Sequence, residues 1–166
     1  MNISTRAIPS NGLRGLALLA VLVLALMPRA AGAAAHEVPF SAAFTTEFES
    51  AVVFPIAHIS VTGDGYGLHM GRSTAVTTDQ SVNLITGEGA ATYTLTAANG
   101  DTVVLSLEFT IAFQPTGVTF EGTYVVTGGT GRFAGATGSG SASGSATFTG
   151  MSNGFGSFAV DGTISK

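Results

Sequence analysis

The stretch Thr92–Phe113, TYTLTAANGDTVVLSLEFTIAF, decides how this chain folds. Tyr93, Leu95 and Ala97 alternate with Thr92, Thr94 and Thr96. Beyond Asn99-Gly100, the residues Val103, Leu105, Leu107, Phe109, Ile111 and Phe113 alternate with Ser106, Glu108 and Thr110. A period of two marks a strand with one buried and one wetted face. Asn-Gly between two such runs predicts a two-residue hairpin turn with left-handed dihedrals.

The same pattern continues on both sides. Upstream, Phe40, Ala42, Phe44 and Phe48 share one face, and Val53, Ala57, Ile59 and Val61 share the next. Gly63-Asp64-Gly65 reads as a turn, after which Leu68, Met70 and Val76 form a further apolar face. Downstream, Pro115-Thr116-Gly117 turns the chain, and Val118, Phe120, Tyr124 and Val126 resume the apolar side. Two last runs flank Asn153-Gly154, with Ala142, Gly144, Ala146 and Phe148 inward, then Phe158, Val160 and Ile164. No window after Val38 carries a helical period.

About eight strands therefore follow one another through mostly hairpin-length connections. A sheet with one apolar face must bury it by closing on itself or by packing on a second sheet. Short connections favour closure, because a Greek key needs a long crossover. The expected fold is all-β, an eight-stranded antiparallel up-and-down barrel, with a two-sheet sandwich as the alternative. Gly122, Gly144, Gly156 and Gly162 share the parity of the inward phenylalanines, as expected where very small residues make room for very large ones in a narrow barrel.

The first 35 residues read differently. Arg6 and Arg14 precede an unbroken apolar run from Gly15 to Met27, and Pro28-Arg29 leads into the small residues Ala30–Ala35. Positive, apolar and small-residue regions in that order describe a cleaved secretory signal peptide, and the run is shorter than the roughly 20 residues a bilayer span needs. The expected organisation is a leader over 1–35 and a single domain over 36–166, secreted or periplasmic and not held on a membrane after cleavage. The whole chain has a formal charge of −4; without the leader, ten acidic residues face three basic ones, a charge of −7. That balance argues against a nucleic-acid partner. The absence of cysteine excludes disulfides, thiolate metal sites and a cysteine nucleophile.

Val125–Gly138, VVTGGTGRFAGATG, contains a TGGTG core like a dinucleotide-binding turn. That chemistry needs a helix after the glycines, and the Gly- and Ser-rich continuation cannot sustain one. Gly128-Gly129-Thr130-Gly131-Arg132-Phe133, followed by Ala134–Gly138, instead resembles the late loop of dirigent proteins and of the allene oxide cyclase-type barrel superfamily. The stretches Ala97–Asp101 and Gly63–Gly71 add to the likeness. The resemblance implies an eight-stranded barrel of the calycin or allene oxide cyclase type with a hydrophobic lumen. It carries over no catalytic residue. The loop itself reads as structural, with glycines at positive dihedrals and Phe133 plugging one barrel end.

Polar side chains on apolar faces are the remaining clues. Arg72 shares parity with Leu68, Met70 and Val76, while Tyr93 and Tyr124 sit on apolar runs. These three are the expected ligand-binding residues, the guanidinium meeting a ligand carboxylate and the phenols fixing it, because a buried arginine requires an anionic or carbonyl partner. The plain alternative is an arginine reaching water at a strand end and two core tyrosines. His58 and His69 fall on outer positions of neighbouring strands, within reach across a ladder but short of a metal site. His36 would stand first or third after leader cleavage, a geometry that suits copper, although small residues there are routine. No metal or cofactor is expected, and no catalytic residue is identified. The sequence reading is thus a secreted barrel, non-catalytic, binding a small apolar or amphipathic ligand in its lumen. A dirigent- or cyclase-like enzyme and an adhesive extracellular protein are the alternatives, and the oligomeric state is open.

Overall fold

The computed structural model describes residues 36–165, so the expected signal peptide over 1–35 lies outside the described residues. Eight strands run in chain order around a closed antiparallel barrel: β1 (Glu37–Val53), β2 (Ile56–Gly67), β3 (Gly71–Asn83), β4 (Glu88–Ala97), β5 (Thr102–Gln114), β6 (Gly117–Gly129), β7 (Thr137–Phe148) and β8 (Asn153–Ser165). The sandwich alternative is excluded by the closing ladder between β1 and β8, which runs from Glu37↔Ser165 to Glu49↔Asn153. β1 is the longest strand because it serves two partners in offset registers. Its first residues pair only with β8, and Ser50–Val53 pair only with β2. That stagger is what closing a tilted sheet requires.

Alternation assigns the two faces. Phe40, Phe44, Phe48, Leu95, Leu105 and Phe158 are buried in one continuous core. Glu47, Glu49, Glu108, Glu121 and Asp161 are exposed on the outside, where a lipid-facing barrel would carry an apolar band. The core aromatics meet glycines across the ladders. Phe120 and Phe158 both pair with Gly144, Phe48 pairs with Gly154, and Tyr124 pairs with Gly140. A Cβ on Gly144 would lie 2.5 Å from the Phe120 ring and would also strike the Ser157 carbonyl oxygen.

Two turn assignments change. Gly63-Asp64-Gly65 lies inside β2 and pairs with Phe44, Thr45 and Thr46 of β1. Gly65 is a socket for the Phe44 ring, 2.7 Å from where its Cβ would be, and the chain reverses later, at Leu68–Met70. The Asn99-Gly100 turn spans Ala98–Asp101, with Gly100 alone in the left-handed region at φ 87°. This is the longer hairpin loop in which a single glycine takes the left-handed position.

The barrel has two unlike ends. The β2–β3, β4–β5 and β6–β7 connections close one end, where Phe133 of a short 3-10 turn (Gly131–Phe133) and Met70 are buried in the core. The β1–β2, β3–β4, β5–β6 and β7–β8 turns surround the other.

The aromatic–glycine pairing makes a direct prediction. Gly144→Ala, adding one methyl against the Phe120 ring and the Ser157 carbonyl, should cost about 1–3 kcal/mol of unfolding free energy in chemical denaturation. An unchanged midpoint would show that the rings do not need that space.

Candidate functional site

The stack of Tyr93 on Phe158, with centroids 4.5 Å apart and rings 11° from parallel, divides the lumen. Phe44 continues the stack on the far side of Phe158, at 5.9 Å. Toward the closed end, Phe40, Leu95, Leu105, Tyr124, Phe133 and Ile164 crowd the interior and are almost wholly buried. Toward the other end the interior stays open, as a cavity of about 250 Å³. Its floor is the face formed by Tyr93, Phe120 and Phe158, and its walls include Ile59, Val82 and Ile111. None of the described residues that line it carries a charge.

The mouth is apolar as well. Val53, Phe54, Ile85 and Met151 stand exposed on three of its four turns, and Phe113 is 64% exposed at the end of β5. Phe113 and Met151 belong both to this rim and to the cavity wall. Val53, expected on the buried face of the second strand, instead ends β1 and is 72% exposed. A run of inward positions ends wherever its strand leaves the barrel, and alternation by itself does not mark that point.

The three expected ligand residues separate. Tyr93 lines the cavity and is 4% exposed; its hydroxyl donates to Gln80 Oε1 at 3.2 Å. Burial pushes its ionisation well above the ordinary tyrosine value, so it stays a neutral donor. Tyr124 is buried in the filled half, away from the cavity, edge-on to Phe40 at 6.4 Å. Its hydroxyl has no hydrogen-bond partner among the described residues. Burial, with the Asp161 carboxylate nearby, raises its pKa to about 12. Arg72 does not enter the lumen: it is exposed, opposite Tyr66 on the outer face of β2–β3.

β3 begins on the opposite parity to the one that would place Arg72 in the lumen. Its first half turns Ser73, Ala75 and Thr77 inward. A bulge then leaves Thr78 outside the β3–β4 ladder, between Thr77↔Tyr93 and Asp79↔Thr92. An extra residue in one strand re-aims every side chain beyond it, so the inward set becomes Gln80 and Val82. Met70 reaches the core from the β2–β3 turn, while Leu68 and Val76 are exposed. The apolar run that gave Arg72 its inward parity is therefore not one face.

His58 and His69 do not approach each other. His58 pairs with Ala51 and Ser81 toward the open end, whereas His69 lies in the β2–β3 turn, its Nε2 3.1 Å from the Pro39 carbonyl. Arg132 likewise serves the fold. It pairs with Asp101 at 3.2 Å and lies over the Phe133 ring at 5.2 Å. Hydrogen bonding from the Asn99 amide, helped by the Arg132 N–H and guanidinium, holds the Asp101 carboxyl below its ordinary pKa. Gly131 has φ 58°, and a Cβ there would collide with that carboxylate. The Thr130 hydroxyl accepts from the Thr102 N–H at 3.0 Å. The Gly128–Phe133 loop is thus a tie between the β4–β5 turn and the barrel's plugged end.

No family model, curated protein or solved structure matches the chain.

Gln80 is the residue that sequence reading missed. Its signal, an extra outward residue at Thr78, is visible only once β3 and β4 are paired. For Tyr124 the buried hydroxyl sets the expectation: Tyr124→Phe should raise unfolding free energy by about 1 kcal/mol, since it removes a polar group with no partner. A loss of stability in the same denaturation experiment would mean that the hydroxyl is bonded in solution.

Proposed function

We propose that the barrel binds a small apolar or amphipathic molecule in the open half of its lumen. The observation that carries this reading is the cavity of about 250 Å³, floored by aromatic rings and entered through an apolar mouth. It lies just below the size range usual for small-molecule sites and shares their build, an apolar wall with a few placed polar groups. Water gains little there, while an apolar guest removes its own surface and that of the wall from solvent at roughly 25 cal/mol per Å². The hydroxyls and the one carboxamide on the wall orient a guest; at neutral pH they do not exchange protons with it. The leader-like pattern of residues 1–35 supports binding outside the cytoplasm.

Ethylbenzene is a suitable probe. At a hundredfold excess over its dissociation constant it should stabilise the protein by about 2.7 kcal/mol, read as a rise in Tm. Ala146→Leu, which extends a wall residue into the cavity, should abolish that rise while leaving the far-UV circular dichroism unchanged. The reading is wrong if ethylbenzene leaves the Tm of the parent protein unmoved, or if the filled variant responds equally.

A further inference from the structure

Asp79 and Gln80 are neighbours in β3, and the bulge decides which of them faces the lumen. Continued without interruption, the inward set Ser73, Ala75 and Thr77 would place the Asp79 carboxylate inside. With Thr78 outside the ladder, Asp79 is exposed and Gln80 lines the cavity. On the other side of β3, where the β2–β3 register also shifts, the Thr77 hydroxyl accepts from the Val61 N–H at 2.7 Å. One irregularity thus exchanges a charge for a neutral amide at the cavity wall.

The amide is also oriented. Tyr93, held in its stack on Phe158, donates its hydroxyl proton to Gln80 Oε1 at 3.2 Å. That leaves the two N–H bonds of Gln80 Nε2, which donate to no described residue. Gln80 is half-buried and these donors stay within reach of solvent; a guest that displaces water from them without supplying an acceptor leaves them unmet, which is costly. A carboxylate guest would bring its charge into a cavity where no described lining residue is a cation, which is more costly still.

We infer that Gln80, oriented by Tyr93, selects an uncharged guest bearing an oxygen acceptor such as a ketone or ester carbonyl, with its hydrocarbon part against the aromatic floor. The inference rests on the proposed lumen binding and adds the chemical class of the ligand. The acceptor takes a hydrogen bond from Gln80 Nε2, and the phenol of Tyr93 holds the amide in the orientation that offers it. Gln80 is the specificity-determining residue and Tyr93 positions it.

Three probes of similar size separate the possibilities: acetophenone, ethylbenzene and benzoate, titrated calorimetrically into the full domain at neutral pH. Acetophenone and ethylbenzene should bind and benzoate should not. Gln80→Leu should weaken acetophenone about five- to tenfold, the worth of one neutral hydrogen bond, while ethylbenzene holds or tightens. Gln80→Met, closer in shape, gives the same comparison if Gln80→Leu does not fold. Equal changes for both probes, or benzoate binding as tightly as acetophenone, would overturn the role of Gln80 and leave lumen binding standing. Failure of all three to bind the parent protein would remove the lumen reading itself.

Discussion

Everything inside this barrel depends on aromatic rings lying over glycines. A closed sheet of eight strands has a narrow interior, and a core built largely of phenylalanine overfills it unless neighbouring positions give up their side chains. Phe120 and Phe158 share Gly144, Phe44 lies against Gly65, and Tyr124 lies against Gly140. Each pair sets a register, because a slip of one residue would put a Cβ under a ring and turn the apolar face to water. The glycines cost conformational entropy, and the ring contacts and the closed ladder offset it. No disulfide assists, since the chain has no cysteine.

The same packing makes the two ends unequal. The Tyr93–Phe158–Phe44 stack is a partition. Below it, large buried side chains and the Phe133 plug crowd the lumen, and the Arg132–Asp101 pair fastens the plug's loop to the β4–β5 turn. Above it, Ala57, Ala146 and Ser50 are too small to meet across the lumen. The cavity is therefore a direct consequence of where the large and small inward residues fall along the strands. Its chemistry comes from a separate device, the β3 bulge, which turns a carboxamide inward and a carboxylate outward within two residues.

Much of this is legible in the chain itself. The run from Tyr93 to Phe113 gives two adjacent strands with their inward faces, and the glycines of the Gly128–Phe133 loop point to a structural turn with Phe133 plugging one barrel end. What escaped has a common physical cause: periodicity is read within one strand, while bulges and sockets are properties of pairs. Gly63-Asp64-Gly65 has the composition of a turn, yet Phe44 on the neighbouring strand uses it as a seat. Arg72 shares parity with Leu68 and Val76, which are exposed, and with Met70, which reaches the core only from the β2–β3 turn. Tyr93 and Tyr124 are equivalent in pattern and differ only in which side of the ring partition they occupy.

The central claim is that the lumen is filled below that partition and receptive above it. Methyl-resolved NMR titration with ethylbenzene tests this most directly, because isoleucine, leucine and valine methyls occur in both halves. Saturable shifts confined to Ile59, Val82, Ile111 and Val118, with Leu95, Val103, Leu105 and Ile164 unmoved, are the expected result. Shifts spread over both halves, or none that saturate, would contradict it.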